Sequence, residues 1–269
     1  MKRHTQATFG ILGLALVAGA SQASADVESL IGGDVSGEIS AGWDSRYFYR
    51  GLWFGDETTW TNASVSKELA SNLTGSVNLF YTDVMDDALS YSEGNIGAAL
   101  SYDLGFGTLD LGFVHFRFYD GFAGTERGGV RGTGIAGNDE ANEFNLTYSQ
   151  DLFAGFSGHV LVGRDTTIDG TYGELGVSKS WEVCEGVGLD FSLTAGYSLA
   201  SCYTFDGDDP EDWTHVLIGV ALPMTLTETA SLTPYVNVNI SKDSRDPTNS
   251  GVGRGDDEVY FGASLAVSF

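Results

Sequence analysis

The chain is poor in basic side chains: 13 Lys and Arg stand against 37 Asp and Glu among 269 residues, a net charge of −24. That sign repels phosphate backbones and argues against nucleic acid and against docking on an anionic lipid surface. Long apolar runs are also missing. The longest is Ile11-Leu12-Gly13-Leu14-Ala15-Leu16-Val17-Ala18, too short for the roughly 20 residues that carry a helix across a bilayer, so any membrane crossing must be made by strands. Only 4 Pro and 2 Cys occur. Cys184 and Cys202 flank a predicted strand of about a dozen residues at roughly 3.3 Å each, which puts them at opposite ends of it and unpaired.

The short apolar run has a meaning of its own. Lys2 and Arg3 precede it and Ala23-Ser24-Ala25 follows, the pattern of a secretory signal peptide cut before Asp26. Residues 1–25 are read as the leader, 26–34 as a short N-terminal segment and 35–269 as one domain. Loss of Lys2 and Arg3 with the leader takes the net charge from −24 to −26.

Plentiful Gly (37) and 12% aromatic residues fit many strands joined by tight turns. The alternation is explicit in Leu189, Phe191, Leu193, Ala195 and Tyr197, which interleave with Asp190, Ser192, Thr194, Gly196 and Ser198. It recurs in Leu73/Val77/Leu79/Tyr81, Ile96/Ala98/Leu100/Tyr102, Phe144/Leu146/Tyr148, Val216/Ile218/Val220/Leu222 and Leu232/Val236/Val238/Ile240. The last such segment is Val259/Phe261/Ala263/Leu265/Val267/Phe269. Weaker segments fall near 35–50, 58–68, 156–165 and 171–181. In the fifth strand, Leu109, Leu111 and Phe113 share a face with His115 and Arg117, which predicts a bulge or a shift to Val114/Phe116/Phe118 near its end.

A soluble barrel alternates too, so the polar face decides. It reads Ser76, Asn78, Asn95, Gly97, Ser101, Asn145, Thr147, Ser149, Ser192, Thr194, Asn237, Asn239 and Ser264, small and neutral where a solvated outer face would be rich in Lys, Glu and Arg. These suit a lumen, with the apolar face turned to lipid. Tyr47, Tyr81 and Tyr197 at one level, and Tyr102, Tyr148, Trp181 and Phe269 at the other, read as aromatic girdles. The fold expected is all-β: an antiparallel up-and-down transmembrane barrel of about twelve strands.

Short connections near 69–72, 104–107, 151–155, 182–188 and 223–230 alternate with long or acidic ones near 51–58, 83–93, 120–141, 166–170, 200–213 and 242–257. Barrels of this class keep short turns on the periplasmic side, which places both termini there and the chain in the cell outer membrane. Its surroundings are then outer-membrane lipid and lipopolysaccharide, and terminal Phe269 is the signal offered to the barrel-assembly machinery.

Ser45-Arg46-Tyr47-Phe48-Tyr49-Arg50-Gly51, a Ser-x-Tyr-x-x-Arg-Gly element in the first strand followed by Leu52, resembles the TorF-type porin family (Gcw_chp-like barrels). The resemblance implies an outer-membrane barrel of similar length with a cleaved leader. The chain departs from the pattern just afterwards, where Trp53, Phe54 and Asp56-Glu57-Thr58-Thr59-Trp60 replace a small polar, Pro-containing segment.

Alternation puts Asp44, Arg46, Phe48 and Arg50 on one face, and the charged set belongs to the lumen. Arg46 and Arg50 are read either as a selectivity ladder or as a structural network paired with Asp44, Glu38 and acids of neighbouring strands. Candidate pore-lining residues are Asp44, Arg46, Arg50, Asn78, Asn95, Glu143, Asn145, Glu174, Asn237 and Asn239. The Gly-rich loop 120–141 carries Arg127 and Arg131, which face Glu143 and Glu174 across a constriction if the loop enters the lumen, and sit on a surface loop otherwise. Gly132-Thr133-Gly134-Ile135-Ala136-Gly137 matches a dinucleotide fingerprint in letters only, since a strand and not a helix follows. Asp206-Gly207-Asp208-Asp209-Pro210-Glu211-Asp212 has Glu211 where a calcium loop needs Gly. No metal or cofactor is expected.

The function this supports is passive diffusion of small hydrophilic solutes or ions, with mild cation preference. Small inward residues such as Gly97, Ala99, Gly196, Gly219 and Gly262 leave room for a water path, and about twelve strands is intermediate between a filled and an open interior. Two alternatives stand beside it: a non-conducting outer-membrane scaffold, and a lipid hydrolase. The mature histidines His115, His159 and His215 lack a Ser two residues on, which disfavours the hydrolase.

Overall fold

A computed structural model describes residues 35–85, 91–120, 140–167, 169–200, 211–241 and 257–269. Its strands are β1 (Val35–Tyr49), β2 (Leu52–Ala70), β3 (Leu73–Val84), β4 (Tyr91–Asp103), β5 (Thr108–Asp120), β6 (Glu140–Asp151), β7 (Ser157–Asp165), β8 (Gly170–Cys184), β9 (Val187–Ala200), β10 (Asp212–Ala221), β11 (Met224–Thr225), β12 (Ala230–Ser241) and β13 (Glu258–Ser268). Each pairs antiparallel with its neighbours, and β1 pairs with β13, so the sheet closes on itself. The two-residue β11 continues β10 beyond Leu222-Pro223, bonding to both β12 and β9. Pro223 has no N–H to give the ladder, which is why one wall strand is recorded as two pieces. The result is a closed barrel of twelve strands.

Alternation sorts the side chains as the pleat requires. Leu79, Ile96, Leu111, Phe144, Leu175, Val236, Val259 and Phe261 are about half exposed, from 48% to 60%, and form a continuous apolar outer wall. On the other face stand Asp44, Thr58, Thr82, Glu93, Asp110, Glu143, Asn145 and Asn239, each 4% exposed or less. Water does not account for this inversion. A barrel with apolar residues outside and carboxylates inside belongs in a bilayer.

The short turns, Ser71-Asn72, 104–107, 152–156, Glu185-Gly186 and 226–229, lie at one end with the last strand's terminus; we call it the turn end. Phe269 is at this end, its backbone bonded to Gly37 in both directions and its ring where a Cβ on Gly37 would stand. Cys184 is here too, exposed and unpaired, while Cys202 lies outside the described residues.

Two expectations need correction. The β1–β2 connection is no long loop over 51–58: Arg50 (φ 52) and Gly51 (φ 79) make a two-residue turn, the mirror-type turn whose twist matches the flanking strands. The connection expected near 166–170 lies where it was placed, between Asp165 at the end of β7 and Gly170 at the start of β8. And β5 keeps one phase from Leu109 to Arg117, its β4 register shifting only beyond, at Ser92/Glu93. His115 and Arg117 therefore point outward, tolerated near the loop-end rim because each has a partner on β6: His115 Nδ1 lies 2.9 Å from Asn142 Oδ1, and Arg117 pairs with Glu140.

Candidate functional site

The β1–β2 ribbon does not stay in the wall. Glu57 takes a left-handed conformation (φ 53) opposite Ser45, where the pairing is interrupted, and Phe54 is an extra residue between the Tyr47–Gly55 and Phe48–Trp53 pairs. Beyond this irregularity the ribbon bends over the lumen, so both its faces become interior. Tyr47 (3% exposed) packs on Phe54 and Tyr91, while Phe48 (9%) stacks on Tyr260. Tyr47 is thus not a girdle residue. Leu52, Phe54, Val84, Tyr91, Phe118, Ala141 and Tyr172 join it in one buried cluster, flanked by Tyr49, Phe116 and Leu161.

The tip of this ribbon holds the central ion pair. Arg50 donates to both oxygens of Glu143 on β6, at 2.5 and 2.8 Å, with the two side chains 9% and 4% exposed. The guanidinium carbon lies 4.1 Å from the Tyr172 ring centroid and 4.9 Å from that of Tyr49. Tyr172 in turn donates to Glu174 Oε2 (2.8 Å), and His159 lies 3.0 Å from Glu174 Oε1. On the other side Ser241 of β12 donates to Gly51 O at 3.0 Å. The turn is tied to the wall on both flanks of the lumen. A left-handed backbone costs a residue with a Cβ about 1–2 kcal/mol, so Arg50 holds its conformation against a local preference. A buried pair of this kind loses about 3–5 kcal/mol when one partner is removed.

Other inward groups form three further networks. Asp44 accepts from Trp60 Nε1 (2.7 Å) and Tyr235 Oη (2.5 Å). Glu93 accepts from Tyr47 (2.9 Å), Asn95 (3.0 Å) and Tyr91. Arg46 bridges Asp56 and Glu258 across its two neighbouring strands, so its network uses partners other than Asp44 and Glu38. Asn78 bonds Asn62, Asn239 donates to Ser241 at 2.6 Å, and Asn237 reaches Tyr260. Asn145 is 4% exposed beside Glu143's strand neighbours, with Oδ1 unbonded, as are Asp110 Oδ2 and Thr147 Oγ1 nearby. Arg127 and Arg131 lie outside the described residues.

The outer aromatics Tyr81, Tyr197, Tyr102 and Trp181 are 42–44% exposed, and Tyr148 and Phe269 are half-buried on the same face. Tyr119, whose ring is 6.3 Å from Tyr81, and Trp213, opposite Tyr197, extend the loop-end belt.

Accessibility on the inner face falls from the turn end to the loop end on β8 and β13, whereas on β5 and β6 Asp110 and Thr147 are buried close to the turn end. On β8, Ser180 and Ser178 are exposed, Glu174 is half-buried and Tyr172 is buried; on β13, Ser268 is exposed, Ser264 half-buried and Tyr260 buried. The loop end of the lumen is filled by the ribbon and its aromatic cluster. Glu93, Tyr91, Tyr172, Phe116 and Phe118 were not anticipated as inward partners. Their signal was available: Phe116 and Phe118 sit on the nominally polar face of β5, as strand ends buried on the inside must.

No family model matches the chain, and no curated protein does. Among solved structures it is similar to the translocator domain of autotransporter NalP from Neisseria meningitidis, at 10% identity over 93% of this chain and 94% of that one, TM-score 0.51. It is also similar to the NanC porin, at 9% identity over 85% and 98%, TM-score 0.50. The KdgM porin aligns over 86% and 99% at 10% identity, TM-score 0.48. At such identities the likeness is one of fold: a closed twelve-strand barrel of the outer-membrane type.

Proposed function

We propose that this chain is an outer-membrane porin that lets small hydrophilic solutes or ions diffuse passively, with a preference for cations. The observation that carries the reading is the small polar character of the inner face toward the turn end, where Ser178, Ser180 and Ser268 are exposed and Ser192, Thr233 and Ser264 half-buried. A wall of small neutral polar groups serves water and solute, since a barrel built only as an anchor gains more by filling its interior with apolar side chains. The buried acids Asp44 and Glu93 and the −26 charge left once residues 1–25 are removed favour cations. In this reading residues 1–25 direct export, the turn end and both termini face the periplasm, and Phe269 engages the assembly machinery. The TorF-type resemblance agrees with it.

The aromatic layer at the loop end favours a second reading, a non-conducting scaffold. A hydrolase is disfavoured by the surroundings of His115: in register around it and Asn142 on the outer face stand Ile96, Phe113, Arg117 and Phe144, with no hydroxyl nucleophile among them. Planar-bilayer recording of the refolded mature chain tests the choice. Discrete conductance steps with a cation-selective reversal potential are expected, brief in the wild type, whose loop end is closed at rest, and sustained in a variant lacking the Arg50 side chain. A folded barrel that stays silent under every voltage, in the wild type and in a variant lacking the Arg50 side chain, makes it a scaffold.

A further inference from the structure

The best-formed binding site in the barrel is already occupied, by the chain itself. Glu143 presents both carboxylate oxygens to one guanidinium, Tyr172 and Tyr49 offer ring faces at 4.1 and 4.9 Å, and Glu174 stands behind Tyr172 Oη. Two ring faces and a bidentate carboxylate are what recognises a planar organic cation. Three of the four groups, Glu143, Tyr172 and Glu174, belong to the wall strands β6 and β8, each paired with neighbours on both sides. The cation and Tyr49 arrive on the bent ribbon, through a turn that sets a non-glycine residue at positive φ and hangs from Ser241 by one hydrogen bond. The wall half of the site therefore exists without the ribbon.

We infer that Glu143, Tyr172 and Glu174 form a recognition station for guanidinium- or ammonium-bearing solutes, and that Arg50 is a tethered mimic of that solute which closes the lumen by occupying it. This deepens the porin reading and, for its transport sense, rests on it. Closing and recognition then share one site: a free cation that takes Glu143 from Arg50 releases the turn at the same moment. A tethered ligand acts at a high effective concentration, so a free cation competes only weakly with it. Removing the tethered group should uncover the station at ordinary ligand concentrations. No bond is made or broken in this exchange; one cation replaces another on the same carboxylate.

The test uses the full mature barrel folded in detergent, with folding checked by heat-modifiable mobility, and guanidinium chloride at low millimolar concentration as the probe against sodium chloride of equal ionic strength. Calorimetry should show saturable guanidinium binding to Arg50→Ala and none to the wild type. Adding Glu143→Gln to Arg50→Ala should weaken that binding at least tenfold. If Arg50→Ala does not fold, Arg50→Gln, which keeps the length and an amide donor, carries the same titration. Equal binding by wild type and variant, binding indifferent to Glu143, or no binding to a folded variant each overturns the inference. In bilayers, guanidinium should block an Arg50→Ala conductance reversibly. Conductance without binding or block defeats the station alone, while binding with electrical silence keeps the station and defeats the porin reading.

Discussion

Leu79→Arg and Ser76→Arg, three residues apart on β3, separate a membrane barrel from any barrel that stands in water. Leu79 is 52% exposed on the outer wall, while Ser76 is half-buried on the inner one. Leu79 lies six residues from the start of β3 at Leu73. At about 3.3 Å per residue and a tilt near 40°, it stands roughly 15 Å above the turn-end rim, close to the middle of an apolar band about 25 Å tall. An arginine on the lipid face at that depth costs about 2–4 kcal/mol. Ser76→Arg points to the inner face toward the turn end, where the acidic interior receives the charge, and should cost less than about 1 kcal/mol. Reversible urea unfolding in lipid vesicles reads both. Equal costs, or a larger one for Ser76, would refute the assignment of faces and with it the membrane reading of the alternation.

Three further outcomes follow from the packing. Single substitutions Arg50→Ala and Glu143→Gln should each destabilise by about 3–5 kcal/mol, and the double variant by less than their sum, with a coupling above about 1.5 kcal/mol in the same unfolding assay. Gly42→Val should cost about 1–3 kcal/mol, because a Cβ there meets the Ala263 carbonyl and the Trp60 indole, and melting temperature reports it. Phe269→Ala removes the ring that covers Gly37 at the seam between β1 and β13; the yield of heat-resistant barrel in the outer membrane should fall, while barrel already assembled keeps its fold.

Most of the wall was legible because a strand's two-residue period is local. Leu73/Val77/Leu79/Tyr81 and Val259 through Phe269 show which face meets lipid with no tertiary information, and strand positions such as 156–165 and 171–181 follow within a few residues of Ser157–Asp165 and Gly170–Cys184. The loop end was legible only in part. Asp44, Arg50, Glu143 and Glu174 were placed inside by alternation, but the pairing of Arg50 with Glu143 joins residues 93 apart, across the lumen. Tyr47 was misplaced for a physical reason: alternation presumes a ribbon lying in the wall, and the left-handed Glu57 takes it out of the wall. No composition rule marks a glutamate for that conformation, which glycine or asparagine adopts more readily.

The closed end also differs from a permanent core in what it buries. A plug meant never to open would be most stable if filled with apolar side chains, since exchanging a buried ion pair for well-packed hydrophobic residues is often neutral or stabilising by about 1–4 kcal/mol. Here the layer contains the carboxylates of Glu93 and Glu143, the guanidinium of Arg50, and the polar Thr58, Thr82, Ser198 and Thr214, all within 9% exposure at the side chain or residue level. These groups are costly while dry and stable when hydrated. Their presence narrows the free-energy gap between a closed, packed loop end and an open, wetted one. Among the described residues, the segment that crosses this end is the ribbon that leaves the wall at Glu57, held by Arg50 on one flank and by Gly51 on the other. A two-residue turn that spans a lumen and is fastened by side chains on both flanks is built to be released at those fastenings, and the stronger of the two is an ion pair that another cation can break.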